Sequence, residues 1–165
     1  MPPPDRIRNI AVGLVVRDGH ALVEMYPATD RHGAFARALG GGVEFGETAA
    51  GAVRREFLEE LGVELIDVEP IAVTENIFEA GWARGHEVVH VFAVTGAALN
   101  DLPLDAQLPV LDNHTTARWV PLQALRDLDP PFYPVGMVDL ATRLDAEEED
   151  SSNPPRSGAG SDLLS

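Results

Sequence analysis

The sequence predicts one domain of the α/β class, in an α+β order, with a mixed β-sheet packed by few helices. The chain has 165 residues, 45% of them hydrophobic, which is enough to bury a core of its own. It has no Cys, so disulfides and Cys-bound metals cannot replace that core. Strand-like and helix-like segments alternate without a repeating βαβ order, which favours a mixed sheet.

The first two strands form a predicted hairpin. Residues 7–16 and 21–26 are rich in apolar and β-branched residues, and Asp18 and Gly19 between them are typical of a tight turn. Residues 36–44 are predicted to be extended and glycine-rich. Further strands are predicted at residues 66–78, 87–94 and 117–120, and further helices at residues 121–128 and 135–144.

Residues 48–61 are predicted to form the main helix. Thr48 is a suitable N-cap, and Gly62 suits the position just after the helix. The apolar stripe expected of a helix that packs on a core consists of Ala50, Val53, Phe57 and Leu61.

The ends of the chain differ in character from the predicted domain, which spans residues 7–145. Residues 1–6 are a short Pro-rich extension without the pattern of a signal peptide. The apolar run at residues 10–16 is too short to span a bilayer. Residues 145–165 hold six acidic residues and one Arg, so a disordered tail is expected from residue 146. These observations predict a cytoplasmic protein without a membrane partner.

The formal net charge of −15 argues against a surface that binds polymeric nucleic acid or an anionic membrane. A small polyanionic substrate is compatible with this charge if a divalent cation stands between it and the protein. All 12 basic residues are Arg, so Schiff-base chemistry and a P-loop lysine are excluded.

Three glutamates, Glu56, Glu59 and Glu60, lie on one arc of the main helix, beside its apolar stripe. Such carboxylates repel one another. They could form a solvated acidic face, although only Arg54 and Arg55 are near enough in sequence to compensate for it. They could instead bind a hard cation such as Mg²⁺, which prefers carboxylate oxygens on a rigid element. The helix alone leaves both interpretations open.

The loop before the helix decides in favour of the cation. Gly41, then five residues, Glu47, seven residues, and R-E-F-L-E-E-L-G-V at residues 55–63 match the Nudix box at every defined position. The sequence therefore resembles the Nudix hydrolase family (MutT-like) over residues 7–144. One departure is Leu39, where many members carry Pro. The resemblance implies the Nudix fold, an α/β/α arrangement in which a mixed sheet is sandwiched between helices.

The resemblance also assigns roles to residues of the box. It implies that Mg²⁺ or Mn²⁺ is bound by the Gly41 carbonyl and by Glu56, Glu59 and Glu60. Glu47 assists metal binding, and Arg55 pairs with a box glutamate. The general base is either a box glutamate or an acid outside the box, for which the candidates are Glu87, Glu79 and Asp112. The predicted catalytic residues are Glu47, Arg55, Glu59 and Glu87.

The implied reaction is attack of water on phosphorus in a diphosphate that links a nucleoside to another group, X. The implied partner is a small nucleotide-type molecule. A homodimer is one assembly that the resemblance allows, since many relatives are dimers, but the sequence does not determine the oligomeric state. A non-catalytic nucleotide sensor with the same fold is the alternative, but the box retains every glutamate.

A second pattern outside the box suggests substrate contacts. The residues E-N-I-F at 75–78, followed by His86 and Glu87, resemble a Nudix subgroup that also carries an Arg before the glycines. Arg37 and Phe78 are therefore predicted to bind substrate, although a core role for Phe78 is the simpler alternative. Aromatic residues that could stack on a base are Phe35, Trp82, Phe132 and Tyr133.

Residues 86–90 spell H-E-x-x-H, the signature of zinc peptidases. That motif requires a helix, whereas the following V-F-A-V favours a strand. On a strand, the two histidines would stand about 13 Å apart, too far to share one zinc ion. We therefore predict no zinc site here.

Overall fold

The computed structural model describes residues 5–80, 83–129 and 132–153. The strands and helices follow one another in the order β1 (Ile7–Leu14), β2 (Val16–Arg17), β3 (His20–Tyr26), β4 (Phe35–Arg37), β5 (Leu39–Gly42), α1 (Ala49–Leu61), β6 (Val68–Ala80), β7 (Ala83–Val94), α2 (Ala97–Asn100), β8 (Gln107–Val110), β9 (Thr115–Pro121), α3 (Leu122–Arg126) and α4 (Met137–Ser152).

The strands divide into two sheets. The first has the order β5-β1-β7-β6 and is mixed, because β1 and β7 are parallel. The second has the order β2-β3-β9-β8, with β4 on β3, and its pairs are antiparallel. The chain changes sheets at Val15, between β1 and β2, and again at Ala38, between β4 and β5. The predicted strands at residues 7–16 and 36–44 are therefore each two strands in different sheets.

Helices cover both faces of the strands, as the predicted α/β/α arrangement requires. Along β1, Ile10 and Val12 belong to a core that includes residues of α3 and α4. Ala11 between them belongs to a second core, which includes the buried face of α1. The alternation of side chains along a strand thus builds two cores, one on each side of the molecule.

Helix α1 begins and ends as predicted. The Thr48 side chain accepts a hydrogen bond from the Gly51 backbone N–H at 3.0 Å. Gly62 has a φ of 67°, in the left-handed region, and its N–H donates to the Leu58 carbonyl. The apolar stripe is anchored by Phe57, which is fully buried. Local capping and periodicity therefore account for this helix.

The predicted end of the folded domain at residue 145 needs correction. Helix α4 continues to Ser152, so residues 146–152 are helical rather than disordered. Asp145 accepts a hydrogen bond from the Gly19 backbone N–H at 2.9 Å, which ties this part of the helix to the first hairpin. Residues 154–165 of the predicted tail, and residues 1–4 of the extension, lie outside the described residues.

Two short elements, α2 and β8, have no counterpart among the predicted ones. Strand β8 is only four residues long and carries Pro109, which disfavours a strand prediction. Across the described ranges, none of the helices is long and apolar enough to cross a membrane.

Candidate active site

The loop between β5 and α1 depends on two adjacent glycines for different reasons. Gly40 has a φ of 138°, and a Cβ there would lie 2.1 Å from the Ala11 carbonyl oxygen. At Gly41, a Cβ would lie 2.3 Å from the Glu56 Oε1 atom. The backbone conformation at position 40 and the nearby strand β1 thus require glycine there. At position 41, the absence of a side chain allows the Glu56 carboxylate of the helix to approach the loop.

Arg55 joins the loop to the helix. Its Nε and Nη2 atoms donate to the two carboxylate oxygens of Glu47 at 2.8 and 3.0 Å. Its Nη2 atom also donates to the Gly42 carbonyl at 2.9 Å. The hydrogen bond from Arg55 is the main reason that the pKa of Glu47 is lowered, and the same bond raises the pKa of Arg55. Both side chains are therefore held in their charged forms.

The same guanidinium reaches two more box carboxylates. Its Nη1 atom donates to Glu56 Oε1 at 2.9 Å and to Glu59 Oε2 at 3.2 Å. The Glu56 side chain is largely buried, whereas that of Glu59 is 50% exposed. Arg55 thus organises Glu47, Glu56 and Glu59 around one positive charge.

Glu60 lies apart from this arginine and is buried, with 5% of its surface exposed. Among the described residues, its Oε2 atom has no hydrogen-bond partner. Burial raises its pKa to about 8, and the charges of Glu24 and Glu56 act in the same direction. Arg37 and the Gly40 backbone N–H oppose that shift. A buried carboxylate with an unpartnered oxygen is costly unless a cation or donor compensates for it.

The predicted substrate residue Phe78 shares a cavity with the predicted catalytic residue Glu87, whereas Arg37 lies elsewhere. A cavity of about 710 Å³ is lined by Phe78 and Glu87 together with Arg6, Arg8 and Arg84, among others. Arg37 is not among its lining residues. It lies on β4 opposite Glu24 and acts electrostatically on Glu60.

The model of the NUDIX domain family matches residues 7–137 of this chain. The chain belongs to the Nudix family. The loop and helix described above lie within the matched residues, and they carry the complete box that the sequence predicted. No curated protein matches the chain closely enough to be counted as a relative.

Solved structures show the same fold. The E. coli ORF135 protein has 23% identity and a TM-score of 0.57, over 93% of this chain and 96% of that one. The MutT NUDIX hydrolase from Burkholderia pseudomallei has 22% identity and a TM-score of 0.55, over 84% of this chain and 98% of that one. The MutT protein from Methanosarcina mazei Go1 has 19% identity and a TM-score of 0.56, over 88% and 98%. Sequence identities this low show only that the fold is shared. The match to the family model, together with the intact box, identifies the chain as a Nudix hydrolase, which is a pyrophosphohydrolase by class.

The Nudix box fits a divalent cation in its chemistry. Gly41 leaves room for the Glu56 carboxylate, and Glu60 presents an unpartnered oxygen; oxygen donors of this kind suit Mg²⁺ or Mn²⁺. Within the described ranges, no three His, Asp or Glu side chains are grouped closely enough to hold a metal ion as they stand. Since Arg55 occupies oxygens of Glu56 and Glu59, a cation would have to share these carboxylates with it.

The three candidate bases outside the box do not meet at one point. Glu87 is 6% exposed, receives a hydrogen bond from Asn76 Nδ2 at 3.2 Å and lies 3.5 Å from Arg8. Glu79 is exposed and lines the same cavity. Asp112 is exposed in the loop between β8 and β9. Of the three, only Glu87 is buried and held in position by neighbouring side chains.

The aromatic candidates separate into different environments. Phe35 stacks on Tyr26 with ring centres 4.7 Å apart and meets Tyr133 edge-on at 5.8 Å. Phe132 is buried in the core with α3 and α4, which is the commoner role of an aromatic residue, and its ring is not available to stack on a base. Trp82 lies outside the described residues.

The H-E-x-x-H run lies on strand β7, as predicted from its β-branched residues. His86 Nε2 lies 3.6 Å from Glu75 Oε1, and His90 Nε2 lies 3.4 Å from Asn9 Oδ1. The strand geometry separates the two imidazoles, and the zinc-peptidase interpretation is therefore ruled out.

The sequence predictions missed Glu24, a buried carboxylate on β3 whose charge acts on Glu60 of the box. It is 1% exposed and accepts hydrogen bonds from the Thr115 hydroxyl and from Asn113 Nδ2. Burial and the charge of Glu24 raise the pKa of Tyr26 to about 12. The sequence feature that could have indicated Glu24 is the presence of a glutamate within the otherwise uncharged strand segment A-L-V-E-M-Y.

Proposed function

We propose that this Nudix protein hydrolyses a nucleoside diphosphate linked to X, using Mg²⁺ or Mn²⁺ and a water that attacks phosphorus. The observation that carries the proposal is Glu60, a buried carboxylate with an unpartnered oxygen on the box helix. A solvated acidic face would leave this oxygen in water, whereas a cation-binding helix turns it inward.

The residues that would hold the cation are Gly41, through its carbonyl, and Glu56, Glu59 and Glu60. When bound, a divalent cation neutralises phosphate oxygens and lowers the pKa of a coordinated water. Arg55 holds Glu47 and Glu56 in place by the hydrogen bonds described above. The box helix thereby presents its acids in a defined arrangement before substrate arrives.

Contacts to the substrate are proposed for Arg37, Phe78 and Glu87. Arg37 would contact a phosphate, since its positive charge acts on the box residue Glu60 and opposes the rise in the pKa of that carboxyl. The ring of Phe78 lies against Gly85, where a Cβ would come within 2.4 Å of it, and would offer an apolar surface to X. Glu87 would act as an acid–base group, because Arg8 and Asn76 hold its carboxylate beside the cavity.

The partner of the proposed reaction is a small nucleotide-type molecule, in keeping with the net charge of −15, and not a nucleic-acid polymer. The cytoplasmic location and the homodimer are hypotheses that rest on the sequence alone. Sedimentation of the purified chain would test the homodimer.

The test is cleavage of a panel of nucleotides and nucleoside diphosphate conjugates into a nucleoside monophosphate and a second phosphate-bearing product, followed by chromatography, with Mg²⁺, with Mn²⁺ and with EDTA. Turnover that requires the metal and is lost in Glu60→Gln supports the proposal. The control is Glu149→Gln, the same change of charge at an exposed position on α4. Binding of nucleotides without turnover of any of them would instead indicate the sensor.

A further inference from the structure

The cavity between the start of β1 and the β6–β7 hairpin differs in charge from the rest of the chain. Acidic residues outnumber basic ones by 27 to 12 over the whole sequence. In the cavity lining the two kinds are equal in number, with the arginines Arg6, Arg8 and Arg84 and the carboxylates of Asp5, Glu79 and Glu87. Positive charge is therefore concentrated at this cavity relative to the chain as a whole.

Two of the three carboxylates are already paired within the lining. Asp5 pairs with Arg84, and Glu87 lies 3.5 Å from Arg8. The third carboxylate is exposed. Among the described residues, the guanidinium of Arg6 forms no ion pair and donates no hydrogen bond. The cavity thus has one unpaired cation next to two arginines that are held in place by carboxylates.

Apolar side chains also line the cavity. Ile7 and Ile77 are 58% and 71% exposed, although large apolar side chains are usually buried. The Phe78 ring lies against Gly85, where a Cβ would come within 2.4 Å of it. The volume of about 710 Å³ is in the range of cavities that hold whole organic ligands. These features fit an organic molecule that carries a phosphate better than they fit inorganic phosphate alone.

Arg8 connects this cavity to the glycine-rich loop of the Nudix box. Its Nη1 atom lies 3.5 Å from Glu87 in the cavity lining, and its Nη2 atom would lie 4.0 Å from a Cβ at Gly42 in the loop. The Gly42 carbonyl in turn accepts the hydrogen bond from Arg55 at 2.9 Å. The cavity is therefore adjacent to the loop at which the diphosphate is proposed to bind.

We propose that this cavity binds the group X of the substrate, and that X carries a phosphate. The proposal rests on the proposed function, because X is defined by the diphosphate that the box would cleave. Arg6 and Arg84 bind the phosphate of X, Arg8 lies between X and the box, and Phe78 contacts the organic part of X. Guanidinium groups suit this task because they can donate two parallel hydrogen bonds to phosphate oxygens.

A purely structural role for the arginines predicts a different result. If Arg84 only held Asp5 in place, and Arg6 only kept the start of β1 in water, their loss would not change the binding of a ligand. Both arginines are exposed, the side chain of Arg84 to 68%. Exposed ion pairs contribute little to stability, so both can be replaced in a folded protein. Their role in binding can therefore be measured separately from folding.

The first experiment compares adenosine 5′-monophosphate (AMP) with adenosine, two probes that differ by one phosphate and carry no diphosphate for the box. Calorimetry in EDTA gives the dissociation constants for the wild type, for Arg6→Gln and Arg84→Gln, singly and combined, and for Arg143→Gln. Arg143 is the matched control, because it is exposed on α4 and does not line the cavity. Urea melts check that each variant is folded.

We expect the wild type to bind AMP about tenfold or more tightly than adenosine, as hydrogen bonds between charged groups would provide. The combined variant of Arg6 and Arg84 should reduce this preference to about twofold or less, and Arg143→Gln should leave it unchanged. Equal affinity of the wild type for AMP and adenosine would overturn the proposal. A preference that survives in the combined variant would overturn it as well, since the phosphate would then bind outside the cavity.

The second experiment links the cavity to X by turnover with Mg²⁺. The substrates are diadenosine tetraphosphate, in which X carries phosphate, and ADP-glucose, in which it does not. The combined variant should lower kcat/KM about tenfold for the first and leave it unchanged for the second. An equal effect on both would overturn the assignment of X. If the wild type cleaves no conjugate of the panel, the proposed function is wrong, and the AMP comparison still decides whether the cavity is a phosphate site.

Discussion

Arg55 and Glu47 form a two-point ion pair, with hydrogen bonds of 2.8 and 3.0 Å between the guanidinium and the two carboxylate oxygens. Glu47 ends the glycine-rich loop, and Arg55 lies two turns into α1. Planar pairing of this kind fixes direction as well as distance. The loop and the box helix are therefore locked to each other at the point where the box carboxylates begin.

Replacing Arg55 by Lys should lower kcat by about tenfold or more, because Lys cannot pair with Glu47 at two points and still reach Glu56. The matched control on the same helix is Arg54→Lys, since Arg54 donates instead to the Leu65 and Ile66 carbonyls. Turnover should be measured with saturating metal. Equal loss of turnover in both variants would mean that the Glu47 pair has no special role.

Removing one box carboxylate should abolish most of the activity. We expect Glu59→Gln and Glu60→Gln each to lower kcat by at least about 100-fold, because each removes charge that stabilises the transition state through the metal. Circular dichroism should show that both variants remain folded. Wild-type turnover of both, on a substrate that the parent cleaves, would contradict the catalytic assignment.

Adding one methyl group at Gly41 should damage the site more than the fold. A Cβ there would lie 2.3 Å from Glu56 Oε1, so the carboxylate must move. Gly41→Ala should therefore lose most of its activity and Mn²⁺ binding. The adjacent Gly42→Ala is the control, since its nearest atom would be Arg8 Nη2 at 4.0 Å. The prediction fails if the two variants behave alike.

Neutralising Glu60 should have effects of opposite sign with and without metal. In EDTA at about pH 9, above the raised pKa of Glu60, Glu60→Gln should be more stable than the wild type by a few tenths of a kcal/mol to about 1 kcal/mol, because it relieves repulsion from Glu24 and Glu56. With millimolar Mg²⁺ the difference should shrink or reverse, since a ligand stabilises the native state that binds it. Urea melts of both proteins under both conditions measure this. A difference that does not depend on Mg²⁺ would show that Glu60 is not part of a metal site.

Two truncations should show that the end of α4 contributes to stability and that the residues after it do not. Ending the chain after Leu144 removes Asp145 and its hydrogen bond to Gly19, which should cost about 0.5–1.5 kcal/mol of unfolding free energy. Ending it after Asn153 keeps all of α4 and should change stability little. Thermal melts of the two truncated proteins give the comparison, and equal melting temperatures would show that the last turns of α4 add no stability.

The sequence by itself determined the elements whose causes are local. Helix α1 could be predicted because Thr48, the apolar stripe and Gly62 act within one segment. The hairpin turn followed from Asp18 and Gly19, both of which adopt positive φ. The box could be predicted because its members lie within 23 consecutive residues, from Gly41 to Val63. Spacing along one loop and one helix carries this information without reference to the rest of the chain.

Only the tertiary structure decided which distant residues meet at the box. The change of sheet at Val15 depends on strand partners that are distant in sequence, since Arg8 pairs with Glu87, 79 residues away, and His20 pairs with Pro121, 101 residues away. Glu24 and Thr115 are 91 residues apart, and no local pattern joins them. A carboxylate inside a strand is an anomaly in the sequence, and its hydrogen-bond donors come from strand β9 and from the loop before it. The pairing of strands makes those contacts, and it is governed by the burial of whole faces rather than by the residues nearby in the chain.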